Sequence, residues 1–229
     1  MQSWGVGSRF TDRHTEAEPT KSGVIGLLCS ALGRSRTDSI DDLIKIKMAI
    51  RVDREGQIFY DYHTAMDVLR ARSDGISGCQ TYYDLLMLRK ERKIPNTVGT
   101  VISRRFYLAD ACFLVGLESE NIRLLQDLIH ALKKPKWPPY LGRKSFPASA
   151  PICLTTSVLN QPLLEILRKF PWQGRSHDEC PEVLRLVYEC EPEEGEPRFD
   201  IPENFKFRRF RSRSIKIDFI PSEVLAQEV

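Results

Sequence analysis

No two cysteines of this 229-residue chain stand in a C-x-x-C pair. The six, Cys29, Cys79, Cys112, Cys153, Cys180 and Cys190, are scattered, which argues against a zinc site. Cys29 and Cys112 lie in apolar segments and read as buried free thiols. Nor do any two of the four histidines, His14, His63, His130 and His177, have metal-ligand spacing. No apolar run reaches the roughly 18 residues of a membrane span, and no signal peptide opens the sequence. Reduced thiols without an export signal predict a cytoplasmic protein with no membrane, metal or cofactor. Glycine is also missing where it would count most. Lys21-Ser22 follows a turn as in a phosphate-binding loop, but Thr15 and Thr20 stand where that loop needs glycines, which argues against nucleotide hydrolysis. Acids are absent from the whole stretch between Asp127 and Glu165, whereas Lys133, Lys134, Lys136, Arg143 and Lys144 fall inside it.

Hydrophobic residues make up 41% of the chain and charged residues 28%, so it is globular rather than disordered. Its length suits one large domain or a main domain with a smaller appendage. A net charge of +3 does not by itself point to nucleic acid, so its distribution carries the argument. A second basic run holds Lys206, Arg208, Arg209, Arg211, Arg213 and Lys216. The acids Glu189, Glu191, Glu193, Glu194 and Glu196 read as a solvated loop.

Periodicity predicts a helix over Ser22–Leu32, capped by Ser22 or Thr20 and ended by Gly33. Alternation over Leu43–Val52 predicts a half-buried strand. Asp61–Tyr107 shows little apolar period and holds Tyr62, His63, Tyr82, Tyr83, Arg89, Lys90, Arg92, Lys93, Arg104 and Arg105. It reads as a long excursion from the core, a kind of segment that usually carries function or is disordered. Phe106–Leu117 returns as a strand. Ser119 caps a second helix carrying Ile122, Leu125, Leu128, Ile129 and Leu132, and Pro135 stops it. Strands are then expected over Glu182–Cys190 and Phe207–Ile220. The order predicts an α+β protein, most of a β-α-β-β-α-β ferredoxin-like unit whose first strand is missing, which would leave a sheet edge and a core face open.

The first residues combine Gln2, Ser3, Trp4 and Gly5 with Ser8-Arg9-Phe10 and a helix start at Thr20, Lys21 and Ser22. Rings stack on bases, and free N–H groups and cations take phosphates, so this set suits RNA. Each residue also has an ordinary reading. Trp4 serves equally as a core aromatic. Ser22 serves as a helix cap, although that leaves Lys21 unexplained beside a positive helix end. In Tyr140-Leu141-Gly142-Arg143-Lys144-Ser145, Gly142 permits a close approach while Tyr140, Arg143 and Lys144 add a ring and charge. Arg104 and Arg105 are either solvated arginines at a strand start or a contact to RNA. The run Arg208–Arg213 reads most simply as a half-buried strand with a basic outer face. His63, in Asp61-Tyr62-His63-Thr64, is the one histidine placed to act as a base, although hydrogen bonding is its commoner use.

Five segments in order, Gln2–Gly5, Pro19–Gly23, Asp61–Thr64, Tyr107–Ala111 and Tyr140–Ser145, closely resemble the CasD family, the Cas-five subunit of type I-E Cascade. The resemblance spans the chain to about Ala150 and weakens after it. It implies a RAMP-type (RRM-like) ferredoxin-like RNA-binding domain over 1–150 with a thumb at 62–105, and a smaller β-rich region over 151–229. Such proteins bind the 5′ handle of CRISPR RNA and cap that end of the complex, without catalysis. The partners implied are CRISPR RNA, a neighbouring Cascade backbone subunit and the large subunit, and not a homo-oligomer. Gln2, Trp4, Thr20, Lys21, Ser22, His63, Arg104, Arg105, Tyr140, Gly142, Arg143 and Lys144 are the RNA-binding residues it implies. Family members typically carry a short apolar strand just before this motif, so the native chain is expected to begin upstream of Met1. The alternative is a metal-independent endoribonuclease like the type I-C relatives, with His63, Tyr62 and Lys144 as base, acid and cation. A generic single-strand RNA binder is the third reading.

Overall fold

The structure is a computed structural model that describes residues 1–6, 11–69, 98–175 and 177–226. Segment 7–10, the centre of the excursion with Tyr82, Tyr83, Arg89, Lys90, Arg92 and Lys93, and Cys79 lie outside the described residues. In chain order the elements are β1 (Asp12–Arg13), α1 (Lys21–Leu32), α2 (Asp41–Ile44), β2 (Lys47–Arg54), β3 (Gln57–Leu69), β4 (Val98–Ala109), β5 (Cys112–Glu118), α3 (Ile122–Lys133), α4 (Leu163–Lys169), β6 (Val183–Cys190), β7 (Glu196–Asn204) and β8 (Arg209–Pro221). A 3-10 turn, Ser222–Ala226, follows.

β5, β2, β6, β8 and β7 lie side by side in that order as one sheet, antiparallel throughout. Of the strands that follow residue 151, β6 therefore pairs directly with β2, and β8 and β7 continue the same sheet beyond it. One face of the sheet carries Met48, Ile50, Val187 and Ile215, which bury against Ile25 and Leu28 of α1 and Leu124 and Leu128 of α3. The other face carries Leu114, Leu184, Leu186 and Ile220, covered by Leu163 and Leu167 of α4. Thr20 caps α1 by accepting from the Gly23 N–H, and Gly33 ends it at φ 74°. Within this second layer Arg51 and Asp53 form a fully buried ion pair. The Arg51 guanidinium also donates to the carbonyls of Leu167 and Pro171, at 2.6 and 2.9 Å. An arginine buried in this way must fill its donors. Doing so ties the end of α4 to β2.

Several boundaries differ from the sequence expectation. Asp41–Ile44 is a helical turn, so β2 starts only at Lys47. The single strand expected over Phe106–Leu117 is two, broken at Asp110, whose φ is 65°. Aspartate tolerates this left-handed conformation better than most residues, and Arg54 and Arg175 hold its carboxylate. The cap of α3 is Asn121, which accepts from the Leu124 N–H, while Ser119 accepts from Asn121 instead. α4 and β7 were not expected at all. Cys29 is buried as expected, whereas Cys112 is only half-buried.

The break at Asp110 creates the second sheet. β3 and β4 continue the β2–β5 pair outward as a long antiparallel hairpin, with Gln57 opposite Ala109 at its base. β1 adds to β4 in parallel. The described arms of the excursion are thus regular strands, built from residues that favour a pleated surface. Gln2 makes one bridge to Leu108 of β4. Among the described residues no strand covers the outer edge of β5. A groove of about 1460 Å³ runs there, lined by Phe113, Val115, Leu125, Ile129 and Leu132. No helix among the described residues is long and apolar enough to cross a membrane.

Candidate nucleic-acid interface

The segments singled out in the sequence meet at the base of the β3–β4 hairpin. Gln2 receives the Leu108 N–H on its carbonyl and donates its own N–H back to Leu108. The Ser3 N–H donates to the Leu141 carbonyl, and the Ser3 hydroxyl to that of Phe106. Trp4 is 3% exposed. Its indole N–H donates to Gln2 at 3.1 Å, and its ring lies so close to Gly23 that a Cβ there would meet it at 2.7 Å. Of its two sequence readings, Trp4 takes that of a core aromatic. Gly142 sits at φ 84° with its missing Cβ 1.7 Å from the Ser3 carbonyl oxygen. The close approach it permits is thus to the chain's own backbone. These contacts bracket α1, the hairpin base and the Tyr140–Phe146 turn together.

The bracket gathers an arginine cluster, of which Arg13 is exposed and Arg105 and Arg143 are half-buried. Strand alternation puts Arg105 on the same face as Arg13, its parallel neighbour, and as Asp61, Phe59 and His63 of β3. Arg143 reaches under this face and donates to the carbonyls of Arg105 and Phe106, at 3.3 and 2.8 Å. Its guanidinium lies 5.6 Å from the Phe146 ring centroid. Phe59 stacks on Tyr107, and Tyr107 packs on Phe146. Partial burial lowers the pKa of Arg105, and Arg13 lowers it further, with only Asp61 opposing. Burial likewise lowers Arg143, followed by repulsion from Arg105 and Arg13, with Asp61 opposing. The three cations therefore repel one another beside aromatic rings, a state that a polyanion relieves. Arg13 belongs to the N-terminal stretch whose bases read as suited to RNA, but it was not among the RNA-binding residues that the resemblance implies. It joins through long-range parallel pairing, which no local pattern reveals.

Arg104 points to the opposite face and pairs with Asp12 at 2.8 Å. Around it Ile58, Tyr60 and Tyr62 are 59, 58 and 61% exposed. His14 stacks on Phe106 of the same face at 4.9 Å. Tyr62 and His63, as strand neighbours, project to opposite faces, so the fold does not assemble them as an acid–base pair. His63 is half-buried opposite Ser103. Tyr140 is half-buried and Lys144 exposed, both at the turn beside the cluster.

The start of α1 is placed elsewhere. Lys21 is 4% exposed and its ammonium pairs with Glu189 at 2.9 Å. Burial lowers its pKa, with Glu189 opposing. The Lys21 N–H, a donor that a phosphate would use, is given to Asp200. Asp200 is also bridged by the buried Arg213. Thr20 and Ser22 are buried too. Lys21 is thus explained from within the chain. Glu189, expected in a solvated loop, is a member of this internal network, as is Arg213, expected on a basic outer face.

Helices packed on an antiparallel sheet, with an outward hairpin bearing an arginine–aromatic patch at its base, define an α+β protein. The CRISPR-associated protein (Cas_Cas5) family model matches residues 1–218, and the chain belongs to that family. It is 30% identical over 184 residues to the CRISPR system Cascade subunit CasD of Escherichia coli K12, covering 78% of this chain and 77% of that protein. Two solved structures are similar. One, described as a Cas protein, has a TM-score of 0.71 at 36% identity, covering 98% of this chain and 92% of that one. The other, from a CRISPR RNA-guided surveillance complex, has a TM-score of 0.72 at 30% identity, covering 98 and 89%.

Proposed function

We propose that this chain is a non-catalytic subunit of a type I-E Cascade surveillance complex that holds the 5′ handle of the CRISPR RNA. The observation that carries the reading is the cluster of Arg13, Arg105 and Arg143. Three mutually repelling guanidiniums beside the exposed Phe59 and the half-buried Tyr107 suit phosphates and unstacked bases together. Similarity to CasD and to a guided surveillance complex supports a place in such an assembly. The core is read as a ferredoxin-like RAMP domain over 1–150, with β2, β5, α1 and α3 as its described parts and 62–105 as its thumb. The remainder is a β-rich extension. Lys144 and Tyr140 flank the cluster as further contacts. The Ile58–Tyr60–Tyr62 face of the arm is the surface offered to a neighbouring backbone subunit. Guide pairing, not this chain, reads sequence.

Cleavage is disfavoured by the strand geometry that sends Tyr62 and His63 to opposite faces. The test is to incubate the full chain with repeat RNA without metal and footprint it. Handle nucleotides should be protected and the RNA left intact, with protection lost in Arg105→Ala and Arg143→Ala. Specific cleavage that disappears in His63→Ala would replace this reading with that of a processing nuclease.

A further inference from the structure

The tip of the β7–β8 hairpin, in the other sheet, is built in an unusual way. Phe205 at its base packs against the main core. Two residues on, Phe207 is 64% exposed. The Asn204 side-chain carbonyl accepts from the N–H groups of Lys206 and Phe207, at 2.8 and 3.1 Å. This Asx turn fixes the ring outward. The Lys206 ammonium sits 5.3 Å from the ring centroid. Arg208 adopts φ 51°, a conformation unfavourable for a long side chain and one that native structures tend to keep where function uses it. Arg208 and Arg209 are both exposed, and neither has an acidic partner among the described residues. The nearest acid in sequence, Glu203, lies 3.8 Å from Arg211. On the adjacent α2, Asp42 is held by Arg34 and Asp41 by Ser39.

An outward ring among unpaired cations on a rigid turn is the arrangement that binds single-stranded nucleic acid without sequence preference. We propose that this tip is a second nucleic-acid contact, in which Phe207 stacks on an unpaired base and Lys206, Arg208 and Arg209 take the flanking phosphates. It does not depend on the handle site. RNA and DNA single strands share the required chemistry, and two probes separate them.

The full chain is titrated with labelled oligouridylate and oligodeoxythymidylate, neither carrying a handle, in an Arg105→Ala background that silences the first site. Phe207→Ala should weaken binding at least fivefold. Arg208→Gly with Arg209→Ala should lower the salt slope by about 1.4. Arg208→Gly suits the positive φ, so an unchanged melting curve will show that the loss is not unfolding. A loss confined to one probe supports the proposal and names the strand. Unchanged affinity for both probes overturns it, as does a loss of protein co-purification with nucleic-acid affinity intact.

Discussion

Lys21 and Arg105 look alike in sequence: each is a cation next to a presumptive element start. Their fates differ because of partners far along the chain. Lys21 meets Glu189, 168 residues away, and is neutralised inside the protein. Arg105 meets Arg13 and Arg143 with Asp61 as the opposing acid, so the group keeps an excess of positive charge. Local patterns report what a side chain is able to do, and long-range pairing decides which side chains are left to do it. The same holds for Trp4, whose two sequence readings separate only once Gly23 is seen beneath its ring. Trp4→Ala should therefore cost about 3–5 kcal/mol of stability, while Trp4→Phe, which keeps most of the packing, costs much less. A thermal melt checks this. A base-stacking Trp4 would instead show a normal melt and weakened RNA binding.

At the scale of elements, α1 and α3 were legible because a helical apolar period is a local signal, whereas the short α2 and α4 were not. The hairpin arms were not, because Ile58, Phe59 and Tyr60 put apolar groups on both faces and erase the two-residue period. The break at Asp110 was hidden because no glycine marks it. Two element-level predictions follow from these contacts. Replacing Tyr60 and Tyr62 together by serine should leave handle RNA binding unchanged and reduce incorporation into the surveillance complex, read by co-purification. Glu18, 3% exposed, bridges Arg185 of β6 and Arg198 of β7. Burial alone would raise its pKa, but the hydrogen bonds and charges of the two arginines outweigh burial and hold it below the usual carboxylate range. With the folded value depressed, its stabilisation is fully present above the ordinary carboxylate pKa and is lost as pH falls through the folded one. Glu18→Gln should thus cost about 3 kcal/mol at neutral pH. It should also flatten the acid limb of the stability curve below about pH 4.5, as followed by circular dichroism.

For the whole molecule, the five sequence segments that resemble the CasD family turn out to be chiefly joints. Gln2–Trp4, Gly23 and Gly142 hold the arm, α1 and the Tyr140–Phe146 turn in one bracket, and the bracket brings Arg143 against the strand that carries Arg105, the neighbour of Arg13. The family and its α+β class were legible from those segments. Which of their residues serve as joints was not, because a joint and a contact use the same glycines and aromatics. The central claim is that Arg13, Arg105 and Arg143 together grip the handle backbone. The most direct measurement is the salt dependence of handle RNA binding by the wild-type chain and by the triple alanine variant. With each lost single-strand phosphate contact lowering the slope by about 0.7, the triple variant should bind more weakly with a slope reduced by about 2. Equal affinity and equal slope in the two proteins would contradict the account.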